Sequence, residues 1–105
     1  MLEISKLDQN LIIRKIDSET INIQVTNNTM LMSIVGQFDQ NLKELEKLTN
    51  TVIFFRGNSI TCKGKKANLK DFSEAIKFLV EKYLLTNFIE KDDIMLSVRK
   101  DMKPE

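Results

Sequence analysis

Thr51-Val52-Ile53-Phe54-Phe55-Arg56-Gly57-Asn58-Ser59-Ile60-Thr61-Cys62-Lys63 is the stretch whose reading decides the fold. Two runs rich in β-branched and aromatic residues flank a Gly57-Asn58 link, and a two-residue link of that kind between such runs signals a β-hairpin. The short turn also sets the register. Phe55 lies opposite Ile60 and Ile53 opposite Cys62, so these four share the inward face. Val52, Phe54, Arg56, Ser59, Thr61 and Lys63 then share the outward face, because side chains alternate along a strand.

Upstream of the hairpin, Ile21-Asn22-Ile23-Gln24-Val25-Thr26 alternates apolar and polar, the pattern of a half-buried strand. Asn27-Asn28-Thr29 supplies turn residues and an N-cap. A short helix is expected over Met30 to Val35, stopped by Gly36. A second begins near Asp39, with Phe38, Leu42, Leu45 and Leu48 on one stripe at helical spacing. Leu11-Ile12-Ile13 reads as a short strand before the Asp17-Ser18-Glu19 turn.

Downstream, Gly64-Lys65-Lys66-Ala67 forms a loop, and Asn68 with Asp71 three residues later predicts a helix start. The long helix that follows aligns Leu69, Phe72, Ala75, Ile76, Leu79, Val80 and Tyr83 on one face. Asp92-Asp93 then leads into Ile94-Met95-Leu96-Ser97-Val98, read as a final strand, and Arg99 to Glu105 reads as a polar linker.

Composition excludes most chemistry. The 105 residues contain no histidine and only Cys62, so neither a zinc site nor a Ser-His or Cys-His pair can be assembled. Cys62 lies in an apolar-alternating stretch, where a cysteine acts as a small hydrophobe. No metal site and no catalytic residue is expected. No apolar run approaches the roughly 20 residues that cross a bilayer, and the start is not a secretory signal, so a cytoplasmic location without membrane contact is the expectation. Net charge is only +1, yet from Thr51 to Lys70 the charged residues are Arg56, Lys63, Lys65, Lys66 and Lys70, with no carboxylate among them.

The expected element order is strand, helix, helix, strand, strand, helix, with a glycine between the first two helices. That order resembles the KH arrangement, an α+β fold with a three-stranded sheet and helices packed on one face. Three segments sharpen the resemblance. Ile34-Val35-Gly36-Gln37-Phe38-Asp39-Gln40-Asn41-Leu42 is similar to the glycine, Phe-Asp and Asn-Leu signature of PhoH-family proteins. Arg56-Gly57-Asn58 resembles the Arg-Gly-Asn turn of that family. Gly64 followed by a helix with Ala75 and Tyr83 looks like its third helix. The resemblance implies an N-terminal extension over residues 1–19, a KH-like domain over 20–86, and a strand and linker over 87–105 leading toward a P-loop ATPase domain.

PhoH-like proteins are cytoplasmic ATPases linked to RNA metabolism, so ATP and magnesium are implied for the parent protein. None is implied for this chain, which lacks a Gly-rich loop followed by Lys and Ser/Thr. A KH domain grips single-stranded nucleic acid through a Gly-x-x-Gly loop. Here that loop reads Gly36-Gln37-Phe38-Asp39. Asp39 is expected to cap the following helix and to repel phosphate, by roughly 1 kcal/mol at about 4 Å in water and about 4 kcal/mol at an effective dielectric of about 20. The expected reading is a non-catalytic, degenerate KH module that contributes to binding single-stranded RNA through Gly36, Gln37, Phe54, Arg56, Lys63, Lys65, Lys66 and Lys70. The alternative is a protein-interaction or homo-oligomerisation module that packs on the ATPase domain or a neighbouring subunit.

Overall fold

The computed structural model describes residues 10–98. Within them the chain runs β1 (Leu11–Asp17), β2 (Thr20–Val25), α1 (Asn28–Val35), a single 3-10 turn (Gln37–Asp39), α2 (Gln40–Thr49), β3 (Val52–Arg56), β4 (Ser59–Lys63), α3 (Lys66–Thr86) and α4 (Lys91–Val98). The fold is α+β. Its antiparallel sheet has four strands rather than three, in the order β1-β2-β4-β3.

The extra strand is β1, which pairs with β2 from Leu11 opposite Val25 to Asp17 opposite Thr20, with a bulge after Lys15. The expected boundary between residues 19 and 20 therefore falls inside a β-hairpin. Leu11 and Ile13 join the core cluster through the inward phase of that strand, which explains why the segment does not stand apart.

The β3–β4 hairpin has the expected register, with Phe55 opposite Ile60 and Ile53 opposite Cys62. Gly57 supplies the positive φ of +62° that the tight turn requires. The inward phase of β2 and β4 (Ile21, Ile23, Val25, Ile60 and Cys62) is buried, with Ile53 and Phe55 of β3 packed partly against it. The opposite phase is open. The helices cover the inward face, and α3 contributes Leu69, Phe72, Ala75, Ile76, Leu79 and Val80 to the core. Each of these side chains except Ala75 contributes about 1.5–3 kcal/mol when fully buried.

Local chemistry sets the helix ends. Asn27 caps α1 by accepting the Met30 N–H at 3.0 Å. Gly36 ends it at φ +81° and ψ 168°, and an added Cβ there would meet the Asn41 side chain at 2.7 Å. Phe38 and Asp39 follow in the left-handed region, at φ +55° and +58°. This reverses two expectations. Phe38 turns away from the Leu42 and Leu45 stripe and is 84% exposed. Asp39 makes no capping hydrogen bond, because its left-handed backbone differs from the extended conformation a capping side chain needs.

The long helix starts at Lys66, two residues before the expected Asn68 cap, and Lys65 precedes it without a side-chain cap. Gly64 ends the hairpin against the Glu19 carbonyl at 3.0 Å, and the chain turns helical at once. Asn68 instead donates to the Asn50 carbonyl at 3.4 Å, at the end of α2.

The expected final strand over Ile94 to Val98 is the last turn and a half of α4. Asp93 decides this. Its Oδ2 accepts the Glu90 N–H at 2.7 Å, reaching back to the helix start as in one half of a capping box. Its Oδ1 lies 3.5 Å from Lys82 Nζ on α3. Burial at Asp93, Ile94 and Ser97 then follows a helical spacing. The expected linker, Arg99 to Glu105, lies outside the described residues.

Candidate nucleic-acid interface

Strand pairing lines the open face of the sheet with rows that cross all four strands. One row runs Arg14, Asn22, Thr61, Phe54 and the next Ile12, Gln24, Ser59, Arg56. Thr20, Lys63 and Val52 continue the face toward the β1–β2 turn. Three cations thus stand on one surface with a half-exposed phenylalanine. Phe54 is 53% exposed, and Lys63 Nζ sits 5.9 Å from its ring centroid, within reach of a cation–π contact.

Asp17, at the turn end of β1, lies within electrostatic reach of Lys63. Its Oδ1 accepts the Glu19 N–H at 2.9 Å. That backbone hydrogen bond first, the Thr20 hydroxyl next and the Lys63 charge with a smaller effect hold its carboxyl below the usual range. Phe54, Arg56, Ser59, Thr61 and Lys63 line an open trough of about 700 Å³ that also reaches Ile53 and Phe55 on the edge strand.

The expected site residues fall into three places. Phe54, Arg56 and Lys63 come together on the trough. Lys66 and Lys70 line a separate, mostly apolar cleft between β1 and the start of α3, while Lys65 precedes that helix and is exposed. Gly36 and Gln37 lie in the helical layer, at the turn between α1 and α2.

The helical turn is poorly built for an anion. Asp39 keeps its carboxylate free of capping, and with Glu46 and Lys43 it lines a small cavity of about 120 Å³ between α2 and β3. Gly36 is used internally: its missing side chain admits Asn41, whose Nδ2 donates to the Ser33 carbonyl at 3.3 Å and ties α2 to α1. Gly36 and Gln37 of this turn stand apart from the open sheet face.

Sequence reasoning missed Arg14 and Asn22. Arg14 occupies the outward phase of a strand whose pairing was not assigned, and Asn22 is a polar position of the β2 alternation that was not followed across to β4. Asn22 Nδ2 donates to Ser59 Oγ at 2.5 Å and to Thr61 Oγ1 at 3.1 Å, bracing the two strands on this face. Among the described residues no group of three or more His, Cys, Asp or Glu side chains is placed to hold a metal ion, and no helix is long and apolar enough to cross a membrane. No protein-family model, no curated protein and no solved structure matches the chain.

Proposed function

We propose that this chain is a non-catalytic accessory module that binds single-stranded RNA on the open face of its sheet. In this reading it is a degenerate KH-like domain of the PhoH type, working beside a P-loop ATPase domain in the cytoplasm. The order β2-α1-α2-β3-β4-α3 with Gly36 between two helices supports the KH-like part. The observation that carries the binding role is the placement of Arg56 and Lys63 beside Phe54, with Arg14 on the same open face at the opposite edge strand. Cations neutralise phosphate and release counterions, and an aromatic side chain stacks a base whatever its identity.

Titration of a fluorescent single-stranded RNA with the chain at rising salt tests this. Binding in the micromolar range is expected, with a log–log salt slope near −2, since three cations each contribute about −0.7 on a single strand. Binding that is undetectable at tens of micromolar protein, or indifferent to salt, would refute it.

A second reading has its own support. Ile16, Val52 and Phe54 are each more than half exposed and Ile12 is 38% exposed, so the same sheet carries apolar area that a neighbouring domain or subunit could cover. In that case Phe54→Glu disrupts self-association or docking in sedimentation measurements while the circular dichroism spectrum is unchanged.

A further inference from the structure

We infer that the cleft between β1 and the start of α3 is a site for a small anionic amphiphile, an apolar chain ending in a carboxylate or phosphate. It lies on the helix side of the sheet, so it stands independently of the RNA-binding reading above. Along β1 the inward phase carries Leu11, Ile13 and Lys15, with Ile13 opposite Ile23 and Lys15 opposite Ile21. Leu11 is buried, but α3 does not close over the rest of this edge strand: Ile13 stays half-buried and Lys15 exposed. Ile13, Ile21, Ala67 and Leu69 wall the resulting cleft of about 690 Å³. That volume suits a small ligand, whose sites span about 300–1,000 Å³ and are mostly apolar with a few polar groups.

Three cations stand around these walls. Lys15 comes from the strand, and Lys66 and Lys70 lie one turn apart on α3, on the same side of the helix. All three are exposed, and none forms an ion pair among the described residues. Asp17 is the carboxylate on the lining, and its Oδ1 already accepts the Glu19 N–H at 2.9 Å. Three lysines against one aspartate leave the lining positive. Apolar walls and an excess of cations together select the occupant. A nucleic-acid strand would engage the lysines and leave Ile13, Ile21 and Leu69 uncovered. A neutral apolar molecule would cover those walls and leave the lysines without a partner. An apolar chain with one anionic head satisfies both, its chain on Ile13, Ala67 and Leu69 and its head among the lysines.

The test titrates the full chain with octanoate, octyl phosphate and octanol, followed by calorimetry and by backbone amide chemical shifts. The two anions are expected to bind about tenfold more tightly than octanol, because several exposed ion pairs each add a small gain. Decanoate should bind about tenfold more tightly than octanoate, a little under the gain for two fully buried methylenes. Shifts should centre on Ile13, Lys15, Ala67 and Lys70 and leave Phe54 and Arg56 unchanged. The variant Lys66→Gln/Lys70→Gln alters only exposed side chains, so it should keep octanol binding and lose most of the preference for the anions. Absence of binding, equal binding of octanol and octanoate, or shifts centred elsewhere would overturn the inference and leave the RNA-binding reading standing. Nuclear Overhauser contacts from Leu2, Ile4 or Leu7 to Leu69 in the free chain would overturn it too, since the chain would then fill its own cleft. Self-association that Ala67→Glu abolishes would do the same, because a second copy would be the occupant.

Discussion

Glu46 Oε2 on α2 accepts the backbone N–H of Ile53 on β3 at 2.7 Å, so a helix side chain satisfies an outward-facing donor on the sheet's edge strand. An unpaired edge invites another strand, and a carboxylate laid along it occupies one of the sites such a strand would use. The same contact fixes α2 over β3 at the end of the sheet that carries Phe54.

Replacing Glu46 with alanine strands a half-buried N–H and is expected to cost about 1.5–3 kcal/mol, the range for hydrogen bonds to charged groups. Glu46→Gln keeps an acceptor but not the charge, so roughly half of that loss is expected. Urea midpoints of the two variants, at unchanged slope, check the order Glu46→Ala below Glu46→Gln below the unaltered chain.

Two glycines with positive φ separate backbone freedom from space. Gly36→Ala forces a side chain into a conformation close to glycine-only and against Asn41 at 2.7 Å, which predicts a loss of about 2–3 kcal/mol. Gly57→Ala meets nothing within 4 Å, so only the conformational cost remains, about 1 kcal/mol. Thermal unfolding of both variants should rank Gly36→Ala as clearly the less stable.

Burial pushes the Cys62 thiol from an ordinary 9.0 up to about 11, with the Thr51 hydroxyl pulling the other way and the Glu46 charge adding a smaller push. The folded chain thus holds this proton more tightly than the unfolded one. The associated stability is whole below pH 9.0 and drains away as pH rises toward about 11, because only the unfolded thiol ionises in that window. Cys62→Ala removes the linkage. Urea midpoints of the two chains from about pH 8 to about pH 11 should therefore converge with rising pH, whereas a constant gap would contradict the buried neutral thiol.

Much of the fold was legible because short-range rules agreed with the final packing. The Gly57-Asn58 turn fixed a register with no freedom to slip, since a one-residue shift would have exposed Ile60 and Cys62. The face of α3 was equally plain. Failures came where a local signal had two readings. Ile94 to Val98 suits a strand by composition, and only the reach of Asp93 back to Glu90 and across to Lys82 makes it a helix. Phe38 has helical spacing to Leu42 and Leu45, but two successive left-handed residues turn it outward.

The candidate site was legible only in fragments. Phe54, Arg56 and Lys63 lie close in sequence and on one hairpin, so alternation alone united them. Arg14 and Asn22 reach the same surface through pairings of β1 with β2 and of β2 with β4. The second pairing joins residues about forty apart and follows from the packing of the whole sheet. Lys66 and Lys70, which continue the basic run in sequence, are carried by α3 to a different cleft.

The central claim is that single-stranded RNA lies on the open sheet face and leaves the α1–α2 turn untouched. Backbone amide chemical shifts of the isotope-labelled chain, followed during titration with a single-stranded oligo-U, test it most directly. The account predicts perturbations centred on Asn22, Phe54, Arg56, Ser59, Thr61 and Lys63, with Gly36 to Gln40 unchanged. Perturbations centred on Gly36 to Asp39 and the start of α2, or none anywhere at saturating RNA, would contradict it.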